Sequence, residues 1–121
     1  MLRKRIDSFK YAFTGLADLY NTQPNVWIHT TITVLVIFAG FFFAISITEW
    51  CIIVLAIATV LSAEAFNTAI EHLTDLVSPD HHQLAGKTKD VAAAAVLIMA
   101  IGAAIVGLLI FLPYVRAYFQ V

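Results

Sequence analysis

Apolar residues run almost unbroken through three stretches of this chain, and polar residues gather at their ends. The first stretch covers 26–47, the second begins at Trp50, and the third covers 91–112. Each is about as long as the 20 or so helical residues that a bilayer core requires. Ahead of them, Ile6, Phe9, Phe13, Leu16 and Tyr20 recur at three- and four-residue spacing, while Arg3, Lys4, Arg5 and Lys10 supply positive charge. That pattern predicts an amphipathic helix over 1–22. It would lie in the membrane interface with its basic side chains toward anionic head groups, or pack on the protein's own bundle. Gln23-Pro24-Asn25 interrupts the pattern, since a proline disfavours the α region for the residue before it.

Turn chemistry divides the rest. Ser46 to Glu49 reads as a tight outer turn, and the second span follows over 50–72, with Trp50 as an interface aromatic. Ser78 suits an N-cap and Pro79 the first helical position, so a last helix is expected over 79–112, ended by Pro113. Ala92 to Ala95, Ala103, Ala104 and Gly107 give that helix small faces that permit close contact in lipid. Tyr114, Tyr118 and Phe119 mark a second interface.

Composition agrees. The chain has 121 residues, 61% hydrophobic and 12% charged, against about 25% charged in soluble domains. This is an all-α membrane protein of one domain, 1–121, with three transmembrane helices and an N-terminal surface helix. The net charge of −1 says little, and no nucleic-acid partner is expected. Cys51 stands alone in an apolar run, so it forms no internal disulfide and reads as a small core residue. The basic N-terminus leads into an amphipathic segment rather than a short apolar block, so no signal peptide is expected. With three spans, the N-terminal segment and the 72–90 loop share one side. That side holds Arg3, Lys4, Arg5, Lys10, Lys87 and Lys89, leaving only Arg116 of the seven basic residues opposite. The positive-inside rule puts the N-terminus and this loop in the cytoplasm.

The chemistry concentrates where the second span ends. Glu64, Asn67, Glu71 and Asp75 are spaced by three, four and four residues, within about 80° of arc on one helix face. Counted from Trp50 at 1.5 Å per residue, Glu64 lies about 21 Å and Glu71 about 31 Å along the helix. A hydrocarbon core about 30 Å thick then holds Glu64 below its inner surface, with Glu71 at the surface and Asp75 in water. An ionisable group at such depth reads as functional. Carboxylates near this surface suit Mg²⁺, which prefers oxygen ligands and phosphate company, and Lys89 can offset phosphate charge. A carboxylate in low dielectric can act as a base.

Other features yield to simpler readings. Gly86-Lys87-Thr88 mimics the end of a phosphate-binding loop, but position 81 is His81 rather than glycine and no strand precedes it. His81 and His82 suit nucleotide or solvent contact better than a shared metal. His29 and His72 read as structural, and Phe41-Phe42-Phe43 as lipid contact.

Together these residues resemble the prokaryotic diacylglycerol kinases, a family that includes undecaprenol kinases. The resemblance rests on Glu64-x-x-Asn67-Thr68-Ala69-Ile70-Glu71-x-x-x-Asp75, then His82, then Gly86-x-x-Lys89-Asp90-x-x-x-Ala94-Ala95-Val96-Leu97, and covers nearly the whole chain. It implies a homotrimeric helical bundle in the bacterial inner membrane with sites shared between subunits. It also implies transfer of the γ-phosphoryl group of ATP, with Mg²⁺, to a lipid hydroxyl. Glu64 matches the family's catalytic base and Glu71 a ligand of the nucleotide-bound metal. Asn67, Asp75, Lys89 and Asp90 match polar residues that shape the site. Asp80, His81 and His82 fall where the family's loop meets the nucleotide, and Lys4 and Tyr11 where its N-terminal helix contributes. One position departs: aligned on Asn25 and His29, Gln23 stands where the family commonly has a second metal-binding glutamate. Glutamine offers a neutral oxygen, so the metal is held more weakly or another carboxylate such as Asp18 substitutes.

The reading is an ATP- and Mg²⁺-dependent lipid kinase acting by in-line transfer, with diacylglycerol as the expected acceptor and undecaprenol as the alternative. A proton-coupled transporter using Glu64 is the rival from another class; it has no need of Asp75, Lys89 and Asp90. A catalytically silent assembly subunit is the third, suggested by Gln23.

Overall fold

The computed structural model describes residues 1–120. It is helical throughout: α1 spans Leu2–Thr22, α2 Pro24–Phe42, α3 Ile47–Val77 and α4 Gln83–Tyr118. No strand occurs among the described residues. The last three helices are long and apolar enough to cross a membrane, and most of their large apolar side chains, Phe38, Leu55 and Leu109 among them, face outward. In water such a surface would oppose folding; in lipid it is the solvent-facing side.

Local chemistry sets the breaks. Gln23 is extended (φ −115°, ψ 108°) and Pro24 opens α2, as the steric rule for residues before proline requires. The first span stops at Phe42, short of the expected 47. Ala44 takes a left-handed conformation at φ 50°, Ile45 N–H donates to the Gly40 carbonyl and Ala44 N–H to that of Phe41. This is a Schellman ending with alanine in the position glycine usually holds. Ser46 is then not part of a turn running to Glu49 but the N-cap of α3. Its hydroxyl accepts from Glu49 N–H (3.2 Å), and its own N–H donates to Glu49 Oε2 (2.8 Å). That capping box starts α3 at Ile47, ahead of Trp50.

At the other end α3 outruns the expected residue 72 and continues to Val77. Pro79 is a stop rather than a start, in the place proline often takes just past a C-cap. His82 caps α4 instead of Ser78, its Nδ1 accepting from Leu84 N–H at 3.1 Å. Pro113 does not end α4, which runs on to Tyr118. One lost backbone bond is outweighed there by tertiary contacts: Tyr114 bonds to Glu49 and Tyr118 packs on Phe42 and Phe43.

α3 and α4 form the most extensive packing in the chain, antiparallel over much of their length. Ile45, Ile53 and Ile110 make the small core near the α2–α3 turn, flanked by Phe43, Trp50 and Phe111. Gly40 is required there, since a Cβ would lie 2.6 Å from the Trp50 ring. Phe43 packs inward while Phe41 and Phe42 stay exposed, which leaves two of the three on the outer surface. Cys51 is exposed on the outer side of α3, not in the core.

Candidate functional site

The polar face of α3 survives folding as a continuous feature. Glu64 is only 2% exposed, the most deeply buried ionisable group, and Asn67 and Thr68 are buried beside it. The helix supplies its own internal bonds at four-residue spacing. Thr68 Oγ1 donates to the Glu64 carbonyl (2.9 Å) and Asn67 Nδ2 donates to Glu71 Oε1 (3.2 Å). Asn67 Oδ1 is left buried without any partner. Buried acceptors are normally satisfied, so an orphan of this kind marks either strain or a missing ligand.

Glu64 meets one residue from another helix. His29 on α2 places Nε2 3.1 Å from Glu64 Oε1. The elbow between α1 and α2 fixes the rotation of α2 that makes this possible. Leu19 and Val26 are buried in it. Trp27 Nε1–H donates to the Tyr20 carbonyl (2.9 Å), and the Tyr20 and Thr30 hydroxyls bond to each other (2.8 Å). His29 is three residues past Val26, hence on the same inward face.

Toward the end of α3 that faces the α3–α4 loop, Lys89 on α4 pairs with Asp75 on α3. The bond to Asp75 raises the Lys89 pKa, with smaller help from the charges of Asp75 and Glu71 and against some desolvation. The lysine is thus held as a cation on a carboxylate that a phosphate can displace. Glu71 is half-buried between the two levels. Gln23 is half-buried at the elbow and bonds only to Thr22 (3.4 Å). Because α2 and α3 run antiparallel, Gln23 lies about 10 Å from His29 along the bundle, and Glu71 about 10 Å from Glu64 in the same direction, away from the α2–α3 turn. The His29–Glu64 bond therefore sets Gln23 level with Glu71, though no bond joins them.

The remaining expected residues are not drawn into this cluster by any side-chain contact. Asp80, His81 and Asp90 are exposed. His82 is exposed and spends its Nδ1 on the helix cap. Lys4 and Tyr11 are exposed on the half of α1 away from the elbow, and Asp18 is exposed as well. Sequence reasoning missed His29 as the partner of Glu64. The signal was available: counting outward from the shared turn brings the two within about one helical turn of the same depth.

No group of three or more His, Cys, Asp or Glu side chains that could hold a metal occurs among the described residues. The oxygens of Glu71, Asn67 and Gln23 are nonetheless of the hard kind that Mg²⁺ takes, and Asn67 Oδ1 is a buried acceptor with no donor, though no contact joins Gln23 to the other two. One carboxylate and two amide oxygens suit an ion that arrives with phosphates and keeps several waters, rather than one caged by protein alone.

Two clefts adjoin the ladder. One, about 510 Å³, lies among α2, α3 and α4 and is lined by His29, Thr33, Val60, Ala103 and Gly107 among others. It is apolar apart from His29 and Thr33, and His29 links it to Glu64. The other, about 390 Å³, lies between α3 and α4 and includes Asn67, Phe66, Ala92 and Ala95.

Residues 10–111 match the family described as prokaryotic diacylglycerol kinase. The chain is 43% identical over 112 residues to the undecaprenol kinase of Bacillus subtilis (strain 168), covering 93% of this chain and 91% of that protein. It is 40% identical over 107 residues to a diacylglycerol kinase of Synechocystis sp., covering 88% of this chain and 61% of that protein. To the diacylglycerol kinase of Haemophilus influenzae it is 27% identical over 93 residues, covering 77% and 79%.

Proposed function

The chain belongs to the prokaryotic diacylglycerol kinase family and is a membrane lipid kinase, and on that footing we propose that it moves the γ-phosphoryl group of ATP to the hydroxyl of an isoprenoid alcohol. The observation that carries the chemistry is Glu64, a carboxylate closed off from water in the apolar part of α3 and joined through His29 to an apolar cleft. A lipid alcohol entering from the bilayer meets Glu64 as general base. Its proton passes to the carboxylate, its oxygen forms the new bond to phosphorus, and the bond from phosphorus to the ADP oxygen breaks. Mg²⁺, when bound with the nucleotide, would neutralise phosphate charge at Glu71, Asn67 and Gln23. Lys89, released from Asp75, balances the triphosphate. Asp90 and the loop residues Asp80, His81 and His82 face the cytoplasm, where they can border the nucleotide.

Lys4 and Tyr11 stand apart from this cluster within one chain. Their contribution is read as coming across a subunit interface in a homotrimer. The excess of basic residues at the N-terminus and in the 72–90 loop supports a cytoplasmic placement of both, in the inner membrane.

The acceptor expected first was diacylglycerol. Undecaprenol is preferred here because the relative named for it matches over nearly its full length, at 43% identity. The name shared by the other relatives keeps diacylglycerol as the second reading. The test is purified protein with Mg²⁺-ATP presented with undecaprenol and with diacylglycerol in mixed micelles. Higher kcat/KM for undecaprenol is expected. Higher kcat/KM for diacylglycerol would reverse the preference, and phosphorylation of neither would overturn the reading.

A further inference from the structure

We infer that His29 is the positioning residue for the catalytic base, holding one oxygen of Glu64 by a hydrogen bond from Nε2 so that the other is presented to the acceptor hydroxyl. The inference rests on Glu64 being the base. It is carried by one contact and its surroundings. Nε2 lies 3.1 Å from Oε1, His29 is 19% exposed and Glu64 2%, and the second carboxylate oxygen has no donor among the described residues.

An ionised carboxylate only accepts, so the shared proton sits on Nε2. A buried carboxylate with no donor at all would be costly and free to rotate. With one oxygen pinned, rotation about the last side-chain bond is lost and the free oxygen has one direction. A displacement of about 1 Å at a reacting group can cost on the order of 10²-fold in rate, so this restraint bears directly on turnover. The histidine is itself held. Its helix is pinned at the elbow by buried Val26 and by the bonds of Trp27 and Thr30 to Tyr20. His29 also lines the 510 Å³ cleft, so the pair stands where an apolar chain in that cleft would present its polar end.

The test compares His29→Gln, His29→Asn and Glu64→Gln. A glutamine amide nitrogen reaches about as far as Nε2, whereas the asparagine nitrogen falls short. His29→Gln should keep kcat within a few-fold of the parent. His29→Asn should lower kcat by about 10- to 100-fold with KM for ATP unchanged. Equal activity of His29→Asn and the parent, with Glu64→Gln inactive, overturns the role of His29 and leaves the base in place. Equally low kcat in both His29 variants also overturns it, because the donor would then not be what matters. Activity in Glu64→Gln removes the base itself and with it the reading on which this one stands.

Discussion

The two ends of the helical bundle each hold a glutamate bonded to a ring side chain on another helix, and they are built to opposite ends. Near the α2–α3 turn, Glu49 Oε2 accepts from the Tyr114 hydroxyl (2.6 Å) and from Ser46 N–H (2.8 Å). Those bonds, Tyr114 first, lower the Glu49 pKa, and the same bond raises that of Tyr114. The bonded polar atoms there are spent within the chain, capping α3 and joining α4 to it beside the apolar core of Ile45, Ile53 and Ile110. Toward the other end Glu64 has one partner, Asn67 Oδ1 has none, and Lys89 rests on a carboxylate at the surface. A carboxylate whose oxygen holds both a helix cap and a cross-helix bond serves the fold; one with a single partner, kept in place by its scaffold, is free to serve a substrate. Stability and chemistry are thus divided between the ends of the same pair of helices.

The sharpest way to break this division is Glu64→Gln. If the end that holds Glu64 is the chemical one, phosphoryl transfer should fall by about 10²–10⁴-fold, the usual cost of losing a general base, while ATP binding and thermal stability stay close to those of the parent. Activity within a few-fold of the parent would take Glu64 out of the role.

Gly40→Ala should do the reverse. The new methyl group meets Trp50, whose ring is pinned by Phe41 at 4.9 Å between centroids and cannot swing aside freely. Overpacking of this kind costs about 1–3 kcal/mol. A lower Tm with kcat per folded enzyme unchanged is expected; a kinetic defect without a stability defect would show that the ends are coupled.

Tyr114→Phe probes the same end through pH. Because the native Glu49 pKa is lowered, the bonds to its ionised form contribute stability that is present above the ordinary glutamate value of 4.5. That contribution is lost as pH falls through the lowered native value. Thermal melts of the parent should therefore decline in acid below that ordinary value, and Tyr114→Phe should shrink the decline by restoring Glu49 toward ordinary behaviour. Superimposable acid limbs would mean that the bond carries no linkage.

Gln23→Glu should give the smallest change. A carboxylate level with Glu71 adds attraction for Mg²⁺, on the order of 4 kcal/mol for each unit of the ion's charge at about 4 Å in an effective dielectric of 20, but repulsion from Glu71 offsets much of it before the ion binds. A modest drop in the Mg²⁺ concentration for half-maximal activity at fixed ATP is expected. Identical titrations would place Gln23 outside the metal's shell.

Much of this was legible in the chain itself. Hydropathy determined three spans and a surface helix, because lipid admits only backbones that satisfy their own hydrogen bonds, and a helix does so locally. The spacing of Glu64, Asn67, Glu71 and Asp75 determined a polar face, because helical periodicity needs no partner. Pro24 determined the elbow by sterics alone. Tertiary structure decided what depends on a second helix. The early end of α2 at Phe42 follows from a left-handed Ala44 that no sequence rule favours over glycine. The continuation of α4 past Pro113 follows from Tyr114 finding Glu49, 65 residues away in the chain. His29 became the partner of Glu64 only once the elbow fixed the rotation of α2. A rotation about a helix axis changes no local energy, so the sequence around it carries little trace of it; packing against a neighbour is what selects one angle.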